Sequence, residues 1–245
     1  MRYTYIYIVS ILLCASLWSC KVNHVAEYQY GYTKIDSTYT SSDSHIEEMI
    51  APYKADLDAT MNEVIATSKV EMSKAKPESL LGNLLADATL EIGQKYHDDN
   101  VDIGIVNYGG IRVPSLSAGN VTLGNVYEIM PFDNYLVILE VKGNILQDAL
   151  NSIAVRGGWP ISGVTYTIKN DEAIHIYVGE EKLDENRVYK IAISDYIANG
   201  GDKMSMFKPL IRTNTNVLLR DAFIEYFKTA KEVDASIENR VVIEE

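Results

Sequence analysis

Two consecutive apolar patterns do most to limit the fold of this chain. After Pro77, ESLLGNLLADATLEIGQKYH sets Leu80, Leu81, Leu84, Leu85, Ala88, Leu90 and Ile92 on one broad stripe at helical spacing. Residues 101–106 (VDIGIV) then form a nearly continuous apolar run, which marks a strand buried on both faces. A strand of that kind needs cover on each side, so the helix before it is one layer of a larger body. The same two periods recur without a strict βαβ rhythm. Strands are expected at 63–70, 135–141, 162–169, 174–178 and 188–194, with turns at KNDE (169–172) and GEEKLDEN (179–186). Helices are expected at 144–154, just after Gly143, and at 216–233, where Val217, Leu218, Ala222, Phe223, Tyr226 and Phe227 form the apolar face. The fold class is therefore α+β, a mixed α/β domain, with no internal repeat.

The N-terminal end reads differently. MRYTYIYIVSILLCASLWSC combines a positive charge at Arg2, an apolar core and a small residue, Ser19, before Cys20, which is the layout of a secretory signal. A membrane-spanning anchor needs about 20 apolar residues, and this stretch breaks earlier at Ser19, Cys20 and Lys21. LWSC resembles the bacterial lipobox, so residues 1–19 are expected to be removed and Cys20 to carry the lipid. Cys14 lies inside the signal, which leaves the mature body without another thiol and excludes disulfides, thiol nucleophiles and cysteine-based zinc sites. Residues 20–44, rich in Ser, Thr and Tyr, read as a flexible tether. A linker helix is expected over 45–62, with Ile46, Met49, Ile50, Tyr53, Leu57 and Met61 at helical spacing, Ser44 and Glu47 as a capping box, and Pro52 inside. The folded domain spans 63–245. A net charge of −12 argues against a nucleic-acid surface, which requires a basic stripe.

No catalytic motif stands out. The four histidines, His24, His45, His97 and His175, share no local spacing with carboxylates except in DSH (43–45), which lies in the tether and does not end a strand. P-loop, nucleophile-elbow and His-Glu-x-x-His patterns are absent from the sequence.

Four segments carry binding chemistry instead. NYGGIR (107–112) follows the buried strand: Gly109 and Gly110 permit positive φ and close approach of a ligand, while Arg112 offers a planar fork for a carboxylate or phosphate. Taken alone it reads more simply as a tight turn with a surface arginine. PFDN (131–134) sets Phe132 at a loop-to-strand junction, where a ring is either core or platform. DYIANGGD (195–202) repeats the logic, with Tyr196 available to stack, Gly200 in the turn, and Asp202 able to accept from vicinal hydroxyls or to serve the turn. ESLLGNLLAD (78–87) places Glu78 as a helix cap and Gly82 where a neighbour passes closely.

In their order, these segments resemble the C-terminal domain of the bacterial and animal 5′-nucleotidase / UDP-sugar hydrolase family. The resemblance runs from about Lys69 to the end and includes SGVTY, YKIAISDYIANGGDKMSMF and ENRVVIE. It implies a single domain with a central mixed sheet flanked by helices. It also implies that Asn107 contacts the base or substrate edge, that Arg112 binds phosphate, and that Gly109, Gly110 and Gly200 make room for the nucleotide. Phe132 and Tyr196 become the rings that sandwich the base, and Asp202 the acceptor for the ribose hydroxyls. A stacked base contributes about 1–3 kcal/mol whatever its identity. One departure bears on the phosphate: where the family has a second arginine, three residues before Glu78, this chain has Ala75 between Lys74 and Lys76. A lysine there acts as a point charge without bidentate geometry.

No stretch matches the family's dimetal phosphoesterase domain, so no catalytic residue, metal ligand or cofactor is expected in this chain. The divalent metals are expected on a separately encoded metallophosphoesterase partner. The function expected is thus the nucleotide-recognition half of a split 5′-nucleotidase, lipid-anchored to a cell-envelope membrane on its periplasmic or surface face. A stand-alone nucleotide- or nucleoside-binding lipoprotein is the alternative, and a degenerate interaction domain a third.

Overall fold

The computed structural model of the chain describes residues 31–32 and 44–244. The expected signal peptide, Cys20 with its expected lipid and nearly all of the expected tether, including Asp43 of DSH, lie outside the described residues. The chain divides into Met1–Glu48 and Met49–Glu245, and the site lies wholly in the second unit.

In chain order the elements are α1 (Ser44–Met61), β1 (Val64–Ser68), β2 (Met72–Ser73), α2 (Leu80–Lys95), β3 (Ile103–Ile105), β4 (Ser115–Leu116), β5 (Gly119–Thr122), α3 (Leu123–Ile129), β6 (Tyr135–Lys142) and α4 (Gly143–Ala154). They continue with β7 (Ile161–Ser162), β8 (Val164–Lys169), β9 (Glu172–Val178), β10 (Glu181–Lys182), β11 (Val188–Ser194), α5 (Asp195–Ala198), β12 (Arg212–Leu218), α6 (Leu219–Ala230), β13 (Glu232–Val233) and β14 (Val241–Ile243).

The central sheet has the order β12-β6-β11-β3-β7 and is mixed: β11 pairs parallel with β3 and antiparallel with β6. Strand β6 lies inside this sheet, between β12 and β11, and its residues show why. Its side chains alternate between two cores, as the period of two along a strand requires. Val137, Leu139 and Val141 join Leu146, Leu150 and Ile153 of α4 and the apolar face of β8 and β9, whereas Leu136 and Ile138 join Leu84, Leu85 and Ala88 of α2 and Phe223 and Phe227 of α6. Burial on both faces explains why β3 and β6 read as apolar runs. The remaining sheets are β10-β9-β8-β14, β13-β1-β5 and the pair β2-β4.

Several boundaries depart from the expectations. The single strand read at 162–169 is two strands in different sheets, broken at Gly163, whose φ is +79° and where a Cβ would lie 2.1 Å from the Asp102 carbonyl oxygen. The helix read at 216–233 starts only at Leu219; Arg212–Leu218 is an edge strand, and Glu232–Val233 pairs parallel with β1. RTNTNVL lies at the exposed edge of its sheet, so no buried face imposes an apolar alternation on it. Within GEEKLDEN, read as a turn, Glu181–Lys182 makes a short pairing with β9. Helix α1 forms with Pro52 inside it, but Ser44 is its first helical residue and none of its residues is buried.

Candidate functional site

The site forms where three strand ends meet at one end of the central sheet: the exit of β3, the entry to β6 and the exit of β11. The exit of β3 is a single 3₁₀ turn, Tyr108–Gly110, closed by the Gly110 N–H donating to the Asn107 carbonyl at 2.9 Å. Neither Gly109 nor Gly110 has positive φ, which corrects the conformational reason expected for this pair. Their use is spatial. A Cβ on Gly110 would stand 2.7 Å from Asn107 Oδ1, so the glycine leaves the volume into which the Asn107 side chain folds. Beyond the turn, Arg112 swings back to donate from Nη1 to the Gly109 carbonyl at 3.3 Å, with its guanidinium carbon 5.7 Å from the centre of the Phe132 ring.

The exit of β11 places Tyr196 and Asp202. Ser194 caps the short helix α5 by accepting from the Ile197 N–H, and Gly200, at φ +86°, turns the chain out of it. A Cβ on Gly200 would lie 2.4 Å from Lys208 Cε, so a larger residue would have to displace that side chain as well as adopt a φ that glycine favours. Asp202 then takes φ +49°, a left-handed conformation held by Arg156, which donates from Nη2 to the Asp202 carbonyl at 2.9 Å. The Asp202 carboxylate accepts from Asn107 Nδ2 at 2.8 Å and from the Tyr196 hydroxyl at 3.1 Å. The Tyr196 ring lies over Gly201, where a Cβ would come within 2.5 Å of it.

A cleft of about 350 Å³ opens between these segments. Asn107, Gly109, Gly110, Arg112, Phe132, Tyr196 and Asp202 all line it; Gly200 does not, and acts through the turn that delivers Asp202. Asn134 lines it as well, from the fourth position of the same PFDN segment that carries Phe132, with its side-chain amide free of hydrogen bonds among the described residues. The volume falls within the range of small-molecule sites, about 300–1,000 Å³. Phe132 and Tyr196 are 38 % and 45 % exposed, so both rings present apolar surface to the cleft.

Positive charge gathers behind the β3 turn. Lys74 Nζ sits 4.0 Å over the Tyr108 ring and donates to the Ile111 carbonyl at 2.7 Å. Lys76 Nζ lies 4.6 Å from the same ring and donates to the Arg156 carbonyl. Burial, then the charges of Arg112 and Lys76, hold the Lys74 ammonium below its ordinary pKa. Among the described residues no carboxylate pairs with Lys74, Lys76 or Arg112. No group of three or more His, Cys, Asp or Glu is placed to hold a metal ion among them either.

Glu78 does not cap α2, as the sequence had suggested; Ser79 does, accepting from the Gly82 N–H at 3.1 Å. Glu78 instead accepts from Asn83 Nδ2 and from the main-chain N–H groups of Glu238 and Arg240, at 2.6, 2.8 and 3.0 Å. It thereby fastens the C-terminal segment to the start of α2. Gly82 has the close neighbour expected of it: a Cβ there would lie 3.0 Å from Pro160 Cγ.

The family model described as 5′-nucleotidase, C-terminal domain, matches residues 64–209. A 5′-nucleotidase of Vibrio parahaemolyticus is 25% identical over 172 residues, covering 66% of this chain and 30% of its own. The mouse 5′-nucleotidase is 27% identical over 190 residues, covering 67% of this chain and 33% of its own. Among solved structures, a 5′-nucleotidase precursor from Thermus thermophilus superposes with a TM-score of 0.73 at 30% identity, over 82% of this chain and 43% of that one. The chain thus spans about a third of the length of the curated relatives named here and less than half of the solved one. On the family match, the chain belongs to the 5′-nucleotidase C-terminal domain family.

Proposed function

We propose that this chain is the substrate-recognition half of a 5′-nucleotidase, binding base, ribose and phosphate of a nucleotide for hydrolysis by a separately encoded metallophosphoesterase. The observation that carries the reading is the convergence of two exposed rings, a carboxylate and an arginine on one cleft from three separate segments of the chain. Phe132 and Tyr196 flank the base, and stacking tolerates any base because each has a π-face. Asp202 keeps lone pairs for the ribose hydroxyls after accepting from Asn107 and Tyr196, since an ionised carboxylate offers about four acceptor sites. Asn107, 8 % exposed and committed to Asp202, orients that carboxylate as well as bordering the base, and Asn134 offers a free amide to the base edge.

Arg112 holds the phosphate in a charge-assisted contact, with Lys74 and Lys76 adding positive potential where the family has an arginine in place of Ala75. These residues bind and orient; the activated water comes from divalent metals on the partner, which must act at the phosphate that Arg112 presents. The LWSC motif supports lipidation at Cys20 and attachment at a cell-envelope membrane. Mass spectrometry of the N-terminal peptide from membranes tests that assignment. No helix among the described residues is long and apolar enough to cross a membrane.

The experiment is to titrate the purified protein with AMP and adenosine by calorimetry, then to assay AMP hydrolysis with and without candidate metallophosphoesterases. Binding with partner-dependent hydrolysis is the expected result. Binding that no metallophosphoesterase converts into hydrolysis moves the assignment to a stand-alone nucleotide-binding lipoprotein, and absence of binding sinks both.

A further inference from the structure

The loop that carries Phe132 has no secondary structure of its own, yet it is gripped at three successive residues by two successive residues of another element. At the start of α6, the Leu219 N–H donates to the Asn134 carbonyl at 2.8 Å. Next to it, Arg220 donates from Nη1 to the Phe132 carbonyl at 3.3 Å and from Nη2 to Asp133 Oδ1 at 2.6 Å. The guanidinium carbon also lies 4.4 Å from the centre of the Tyr127 ring, so α3 backs the contact from behind.

Arg220 is only 8 % exposed, and its Nε–H is buried without a partner. Burying a guanidinium with one donor unmatched is unfavourable. The neighbouring positions Leu219, Ala222 and Phe223 are ordinary core residues, so packing alone would be served better by an apolar side chain here. The charge is directed at the loop: the Asp133 carboxylate that it meets is 79 % exposed.

We propose that Arg220 is a positioning residue for the Phe132 wall of the cleft, acting through the Phe132 carbonyl and the Asp133 carboxylate. The inference rests on the nucleotide-binding reading for its effect on affinity, but not for its effect on the ring. It makes the two walls equivalent in construction, because Arg156 supports the Asp202 turn from the other side through a main-chain carbonyl in the same way.

The test uses protein labelled with fluorophenylalanine and ¹⁹F NMR. The chain has four phenylalanines, of which Phe207, Phe223 and Phe227 are buried; Phe207 and Phe227 serve as internal references. Asp133→Ala removes an exposed side chain and folds even where Arg220→Met does not. The expected result is a shifted or broadened Phe132 resonance in Asp133→Ala with Phe207 and Phe227 unmoved, and adenosine affinity weakened about tenfold or less, the scale of one ordinary hydrogen bond because the effect reaches the ligand only through the ring. An unchanged Phe132 resonance in both variants overturns the proposal, as does movement of all the resonances together, which marks a merely structural role. If the unaltered protein binds no adenosine while Phe132 still responds to Asp133→Ala, the nucleotide reading fails and the positioning role of Arg220 stands.

Discussion

Asn107 and Asp202, 95 positions apart in the chain, are joined by a hydrogen bond of 2.8 Å from the amide Nδ2 to the carboxylate Oδ2. The bond ties the loop after β3 to the turn after β11, and each residue depends on a neighbouring glycine for its place. Gly110→Ala would put a methyl group 2.7 Å from Asn107 Oδ1, displacing the amide and with it the support of Asp202. The expected cost is about 1–3 kcal/mol of stability, typical of overpacking, together with loss of preference for adenosine over 2′-deoxyadenosine. Denaturant unfolding and paired calorimetric titrations measure the two effects; a variant with unaltered sugar preference would separate Asn107 from the role given to Asp202.

The exposed rings give the opposite balance. Phe132→Ala and Tyr196→Ala remove side chains that are 38 % and 45 % exposed, so little core is lost. Each is expected to weaken nucleoside binding by about 1–3 kcal/mol, the contribution of one stacked base, with the melting temperature nearly unchanged. Calorimetry with adenosine and uridine should show similar losses for both bases. Full affinity in either variant would remove that ring from the base site.

Lys74 supplies a pH signature. Its folded pKa is depressed, by burial first and then by Arg112 and Lys76, so the unfolded chain binds more protons than the folded one between the two pKa values. Stability therefore rises with pH as Lys74 deprotonates, and the rise ends at the unfolded value. Relative to Lys74→Met, the wild type is expected to gain stability as the pH rises from below the folded pKa of Lys74 to the ordinary lysine value of about 10, followed by urea unfolding of both proteins. Parallel pH profiles would contradict the depressed pKa. The same variant should weaken AMP more than adenosine, because only AMP brings a phosphate to the positive cluster.

Glu78 should matter to folding and hardly at all to ligand. Its carboxylate serves Asn83 and two main-chain N–H groups of the C-terminal segment, which β14 continues into a parallel pairing with β8. Arg240 reinforces the same junction with a bidentate contact to Asp87 at 2.7 and 2.9 Å. Glu78→Ala is expected to cost about 1.5–3 kcal/mol, the range for a hydrogen bond to a charged group, and to raise hydrogen exchange in residues 238–243. Unchanged exchange there would show that β14 holds without the clip.

What was legible in the sequence follows from where each segment is buried. Strands β3, β6 and β11 and helices α2 and α4 carried their periods openly because each packs on a core that selects apolar residues at fixed intervals. Strand β12 carried none, since an exposed edge exerts no such selection, and the break at Gly163 was invisible because its cause is the carbonyl oxygen of Asp102, the residue just before β3 and distant in the sequence.

Apolar periods and chain order were enough for the mixed α/β class, for the succession of the NYGGIR, PFDN and DYIANGGD segments, and through that succession for the family. What their residues do to one another emerged with the packed fold. There Asn107 is committed to Asp202, Gly110 makes space in place of a left-handed turn, Lys74 and Lys76 engage carbonyls on either side of Tyr108, and Arg220 reaches the loop of Phe132 from far along the chain. A hydrogen bond acts over about 3 Å and is indifferent to separation along the chain. Such partnerships leave no period in the sequence and exist only once the sheet has brought its strand ends together.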